Sequence, residues 1–148
     1  MRIILCGFGV VGQSFAKLLI SRSDDLYARY GLKPRIVGIC DRNGSAVDTS
    51  GLDINRLIQI KKQYNSVKKY AKTNNNISGI NMINDLEADV LIETTESNYK
   101  DAEPGMSHII GAMKRGIHVI SVNKGPLALA FPSLMELATY NHTLFRFS

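Results

Sequence analysis

Cysteine is scarce in this 148-residue sequence, and its two copies exclude several architectures. Cys6 and Cys40 cannot build the multi-bridge framework of a small secreted domain, and no C-x-x-C pair or histidine spacing offers a zinc site. With three scattered histidines they give no metal set. Both are expected as buried thiols at strand ends in a reducing compartment. No apolar run approaches the roughly 20 residues that cross a bilayer. The first apolar stretch also lacks the length and small-residue cleavage site of a signal peptide. A cytoplasmic chain without membrane partners is the expectation. Acidic residues are outnumbered, 13 against 18 Lys and Arg, for a formal charge of +5. That surplus fits an anionic partner. Lys61, Lys62, Lys68, Lys69 and Lys72 are the densest basic stretch, but no aromatic stacking motif or helix-turn-helix signature accompanies them. A solvated helix face accounts for them better than nucleic acid does. No repeat or low-complexity block interrupts the chain, so residues 1–148 are expected to form one domain.

What is present is concentrated at the start. Arg2-Ile3-Ile4-Leu5-Cys6 is a short apolar run of the kind buried in parallel sheets, and it breaks at Gly7. Gly7, Gly9 and Gly12 have the G-x-G-x-x-G spacing of a dinucleotide-binding turn. Gly7 permits the tight exit, Gly9 lets a pyrophosphate approach the backbone, and Gly12 brings the next helix close to the sheet. That helix, with apolar Val11, Phe15, Leu18 and Leu19 at helical spacing, would point its free N–H groups at the phosphates.

The rest of the chain alternates. A helix frays near Ser23-Asp24-Asp25, a short helical piece precedes Gly31, and Arg35 to Cys40 is a second strand. It ends at Asp41-Arg42-Asn43-Gly44, where such folds read the adenosine ribose. A carboxylate at Asp41 would accept from ribose hydroxyls, favouring NAD, whereas a guanidinium at Arg42 would grip a 2′-phosphate, favouring NADP. Asp41 lies 29 positions beyond Gly12, against a usual separation of about 20; the longer connector before Pro34 accounts for the difference. An Asx-type turn with Asn43-Gly44 is the competing account of Asp41. Residues 45–51 are expected as a polar loop, Asp53 as the cap of a helix, and Ser66 as the cap of a short one through Tyr70. Thr73 to Asn76 is a breaker, and Ile77 to Ile83 is ambiguous and offers a short third strand. Asp89 to Thr95 is a fourth strand ending in the hydroxyls of Thr94 and Thr95. Pro104 opens a helix stopped by Gly116, and His118 to Val122 is a fifth strand. Asn123-Lys124-Gly125-Pro126 is expected as a shaped turn, followed by a helix from Pro132 and a sixth strand at Thr143 to Phe147.

This alternation predicts an α/β, doubly wound, mostly parallel Rossmann-type sheet of order 3-2-1-4-5-6. Ligands bind such sheets beyond the carboxyl ends of the strands, at the switch point. Gly7 to Gly12, Asp41, Thr94, Thr95, Asn123 and Lys124 all fall on that edge. His108 and His118 are expected in structural roles.

Gly-Phe-Gly-Val-Val-Gly at 7–12, Glu-Thr-Thr-Glu-Ser-Asn at 93–98, Glu-Pro-Gly at 103–105 with His108-Ile109, and the run 118–129 together resemble the amino-terminal, nucleotide-binding domain of homoserine dehydrogenase. That family uses NAD(P)H to reduce aspartate-4-semialdehyde to homoserine, toward threonine, methionine and isoleucine. The resemblance implies backbone contacts to NADP or NAD from Phe8, Val10 and Val11. It implies a 2′-phosphate grip by Arg42, with Lys61 a second candidate, a cofactor-side hydroxyl at Thr95, and a catalytic lysine at Lys124. An ammonium there can stabilise charge on the reacting oxygen. In the family a further region supplies the substrate pocket, most of the dimer interface, and catalytic Asp and Lys side chains. The chain ends at Ser148, so it is expected to bind cofactor without turnover, within a parent enzyme that is a homo-oligomer. A nucleotide-responsive module without chemistry, or the first domain of another amino-acid dehydrogenase, are the alternatives; Asn123 to Leu127 argues against the second.

Overall fold

Strand β1 (Arg2–Cys6) is the axis of the sheet in the computed structural model, which describes residues 1–70 and 77–148. Alternate side chains of β1 enter different cores, as a strand buried on both faces requires. Ile4 and Cys6 pack with Met82, Ile109, Met113 and Leu134, while Ile3 and Leu5 pack with Phe8, Ala16, Ile39 and Leu57. Beside β1 lie β2 (Arg35–Asp41) and β4 (Val90–Glu93), both parallel to it. Then come β5 (His118–Ser121) and β6 (Phe145–Phe147), also parallel. With β3 (Gly44–Val47) at one edge, the order is β3-β2-β1-β4-β5-β6. The switch point therefore falls between β1 and β4, as the sequence predicts.

The third strand is a correction. It is β3 (Gly44–Val47), antiparallel to β2, with Asp41 opposite Gly44 and Cys40 opposite Ser45. The expected loop at 45–51 is thus half strand. The cause is local: Asn43 N–H donates to Asp41 Oδ1 at 2.8 Å, and this Asx turn folds the chain back after two residues. Residues 77–83, the ambiguous segment, lead into α4 (Gly79–Asp85), which the Ser78 hydroxyl caps by accepting from Asn81 N–H. The expected breaker at Thr73 to Asn76 lies outside the described residues.

Helices α1 (Val10–Ser21) and α3 (Ile54–Tyr64) cover one face of the sheet; α4, α5 (Gly105–Lys114) and α6 (Lys124–Tyr140) cover the other. The expected α1 stripe is rotated. Gly12 and Ala16 are buried with Phe15 and Leu19 partly so, whereas Val11 and Leu18 are 52% and 58% exposed. Small residues face inward because the helix begins almost on top of β1. A Cβ at Gly12 would stand 2.1 Å from the Gly7 carbonyl oxygen, closer than any contact allows. A short helix α2 (Ser23–Tyr30) follows, ended by Gly31 at φ 66°. The expected turn at 123–126 is the first turn of α6, capped by Asn123. Pro132 restarts that helix beyond a kink at Ala130. Among the described residues no helix is long and apolar enough to cross a membrane.

Asp53 caps α3 as expected, accepting from Arg56 N–H at 3.0 Å. An N-cap carboxylate is worth about 1 kcal/mol. Asp53→Ala is therefore expected to lower the unfolding free energy by about that amount in urea titration, with the slope unchanged. A loss near zero would show that the cap bond contributes nothing.

Candidate functional site

The carboxyl ends of β1, β2 and β4 open into a cleft of about 1150 Å³. Its floor is the glycine turn. Gly7 has φ +94°, a left-handed conformation that favours glycine, and a Cβ there would stand 2.5 Å from the Thr94 carbonyl carbon. The Thr94 hydroxyl bonds the Gly7 carbonyl at 2.7 Å, tying the end of β4 to the turn. Phe8 is buried, so it offers the cleft only backbone. Gly9 caps α1 without a side-chain bond, and no acidic residue occupies that first turn. The start of α1 thus keeps backbone N–H donors facing the cleft.

Of the predicted site residues, Gly7, Phe8, Gly9, Val10, Val11, Asp41, Arg42, Thr94 and Thr95 line this cleft. Gly12 lies beneath the turn against Gly7. Asn123 and Lys124 stand beside the cleft and reach it through neighbours. Asn123 Nδ2 donates to Thr95 Oγ1 at 3.0 Å, and Lys124 N–H donates to the Ser97 hydroxyl at 2.9 Å.

Asp41 is not a free acceptor. Its carboxylate receives Lys61 Nζ at 2.8 Å, Val67 N–H at 2.9 Å and Asn43 N–H at 2.8 Å, and its side chain is 5% exposed. Of the two accounts of this residue, the Asx turn with Asn43 is the one formed, at the strand end that lines the cleft. Lys61, in turn, is committed to Asp41 and the Asn65 carbonyl. Arg42 is the exposed cation of this rim, paired with Glu96 on the opposite side.

Behind Thr95 is a buried pair the sequence did not single out. Glu93 is fully buried at the end of β4; its Oε2 meets His108 Nδ1 of α5 at 2.7 Å. Its Oε1 accepts Thr95 N–H at 2.8 Å and the Thr95 hydroxyl. Burial pushes His108 down, but the hydrogen bond to Glu93 and its negative charge outweigh this and raise the pKa above the ordinary 6.5. Beside them, the thiols of Cys6 and Cys40 influence each other. This raises Cys6 well above the usual thiol range and lowers Cys40. Ligand atoms of Cys6, Glu93 and His108 lie within 4.8 Å of one another. Glu93 and His108 are nevertheless bonded to each other, the arrangement of a buried ion pair.

Residues 1–103 match the family described as Glutamate/Leucine/Phenylalanine/Valine dehydrogenase. The chain belongs to that family. It is also 37% identical over 146 residues to a homoserine dehydrogenase of Methanocaldococcus jannaschii, spanning 99% of this chain and 43% of that protein. An NAD(+)-dependent homoserine dehydrogenase of Pseudomonas canavaninivorans is 31% identical over 147 residues, 99% of this chain and 42% of that one. Among solved structures, a homoserine dehydrogenase of Thermoplasma acidophilum superposes with a TM-score of 0.83 at 24% identity, covering 99% of this chain and 42% of that one. A hyperthermophilic archaeal homoserine dehydrogenase in complex with NADPH gives 0.83 at 22% identity, 99% and 43%. At these identities the structures establish the doubly wound fold. The chain spans less than half the length of these relatives.

In this dehydrogenase-family chain the overlooked pair had a legible signal: Glu93 ends the apolar run Val90-Leu91-Ile92, where a charge is buried only with a partner. The raised His108 pKa sets a pH dependence. A proton held more tightly in the folded chain stabilises it fully below pH 6.5, and that contribution is lost as pH rises through the raised value. Urea titrations are expected to show stability declining over that range, with the decline absent in His108→Gln. An unchanged pH slope in the variant would assign the decline to other groups.

Proposed function

We propose that this chain is the NAD(P)-binding domain of a homoserine dehydrogenase, an enzyme interconverting homoserine and aspartate-4-semialdehyde in the cytoplasm on the route to threonine, methionine and isoleucine. The observation that carries the reading is the convergence of the glycine turn, the Asp41–Gly44 turn and the Thr94-to-Asn98 segment on one cleft at the sheet's switch point. Named relatives support both cofactors, one being NAD(+)-dependent and another solved with NADPH. Homoserine dehydrogenase is favoured over other amino-acid dehydrogenases by length of match. The broader family match ends at residue 103, whereas the homoserine dehydrogenase relatives run across 99% of the chain, including residues 118–129.

The residues fit a dinucleotide. Gly7 and Gly12 are packed against the protein's own backbone, Gly9 between them has open space around it, and a volume near 1150 Å³ suits a ligand of that size. When bound, the nicotinamide supplies the hydride. This chain's part is to bind and orient it. N–H groups at the start of α1 face the pyrophosphate. Arg42 holds a 2′-phosphate where one is present, and Lys61, by neutralising Asp41, reduces the repulsion that carboxylate would exert. Lys124 opens the first turn of α6, its backbone N–H bonded to Ser97 of the cleft lining; its role is to stabilise charge on the substrate oxygen with its ammonium. The substrate pocket and the homo-oligomer interface are supplied by the further region such enzymes contain.

Titration of the chain with NADPH and NADH, followed by nicotinamide fluorescence, tests this. Binding of both is expected, and binding of neither at millimolar concentration would sink the proposal. Arg42→Ala should weaken NADPH by about tenfold more than NADH, since a charge-assisted bond is lost for one ligand only. Lys124→Ala should weaken cofactor binding and abolish turnover in the full-length enzyme; full affinity retained in that variant would favour a nucleotide-responsive module without chemistry.

A further inference from the structure

The cation assigned to the 2′-phosphate already has an anion. Arg42 Nη2 is paired with a carboxylate oxygen of Glu96. The two residues come from opposite sides of the crevice. Arg42 follows β2 and Glu96 follows β4, and β1 with its glycine turn lies between those strands. The pair therefore spans the mouth of the cleft above the turn, and both residues line it. Their side chains are 81% and 74% exposed, so the contact is not fixed by packing and can open.

We infer that Glu96 is a specificity-determining residue, one that competes with the 2′-phosphate for Arg42 and so sets how strongly the chain prefers NADPH over NADH. The inference rests on the reading of Arg42 as the phosphate-binding residue. A guanidinium turned inward to Glu96 must exchange one anion for another when a 2′-phosphate arrives. NADH, lacking that phosphate, gains nothing from the exchange. Nearby charges do not replace Glu96 in this role. Asp41 is already bonded to Lys61, Val67 and Asn43, and Glu103 is bonded to Ser107. An exposed ion pair is weak, so its competition is modest. That weakness suits a residue that tunes preference rather than blocking a ligand.

Four chains test it: the unaltered protein, Glu96→Gln, Arg42→Ala and the double variant, each titrated with NADPH and NADH at low and high salt. Urea titration confirms that each is folded, and both substitutions are at exposed positions. Glu96→Gln is expected to tighten NADPH about two- to fivefold more than it tightens NADH. The difference should shrink at high salt and vanish in the Arg42→Ala background. An unchanged NADPH-to-NADH ratio in Glu96→Gln, with Arg42→Ala still selective against NADPH, would overturn the role of Glu96 alone. Equal losses of both ligands in Arg42→Ala would instead overturn the Arg42 reading beneath it. A Glu96→Gln effect that persists without Arg42 would also refute the competition, leaving simple repulsion of the pyrophosphate.

Discussion

Where the chain leaves β1, backbone meets backbone, and the geometry of the whole edge follows from that contact. A Cβ at Gly7 would strike the Thr94 backbone at 2.5 Å, and one at Gly12 would strike the Gly7 carbonyl at 2.1 Å. Neither clash involves the far end of a flexible side chain, so repacking cannot relieve it. The end of β1, the start of α1 and the end of β4 are consequently held as one unit, with the Thr94 hydroxyl bonded across it. Because the unit is built from main chain, its N–H groups are presented at fixed positions. A preorganised array of that kind binds an anion without a reorganisation cost.

The inventory of donors and acceptors sharpens what the cleft can recognise. The Thr94 hydroxyl proton is used on main-chain carbonyls and the Thr95 hydroxyl proton on Glu93. Both oxygens therefore meet a ligand as acceptors. Asp41 is crowded with donors from Lys61, Val67 and Asn43. Donors to an anion come from the glycine turn and from Arg42. The cleft thus offers N–H donors at the turn, paired charges at the rim and accepting hydroxyls at the β4 end.

Five of the six strands are legible in the sequence, with β1, β2 and β4 showing the apolar runs of parallel strands buried on both faces. The exception is instructive. Ser45-Ala46-Val47 is too short and too polar to register as a strand, and it pairs because the Asx bond from Asn43 N–H to Asp41 turns the chain back over Arg42-Asn43. The buried face of α1 departs from its apolar stripe for a different reason. Apolar spacing selects a stripe, but the distance between helix and sheet selects residue size, and here closeness favoured Gly12 and Ala16 over Val11 and Leu18. Similarly, Asn123 to Pro126 has turn residues that also serve as a helix cap and first turn; only the tertiary bond from Asn123 to Thr95 distinguishes the two. Site residues on strand ends were legible from position alone. Glu96, Ser97 and His108 enter the sequence reading through the family resemblance and not through position, since their partners are distant in sequence.

The buried Glu93–His108 pair is best understood through what it holds. Burying two charges costs several kcal/mol per ion before their attraction is counted, and apolar replacements of similar volume are often equally stable. Stability alone does not explain a carboxylate at a fully buried strand end. Its second oxygen does: it bonds both the N–H and the hydroxyl of Thr95, leaving the Thr95 oxygen to accept from Asn123. Asn123 in turn accepts from Gly125 N–H and caps the helix that begins at Lys124. An apolar residue at position 93 could fill the space but could not orient that hydroxyl. The chain of bonds from β4 to α6 therefore converts a buried charge into a fixed placement of the Lys124 turn beside the cleft.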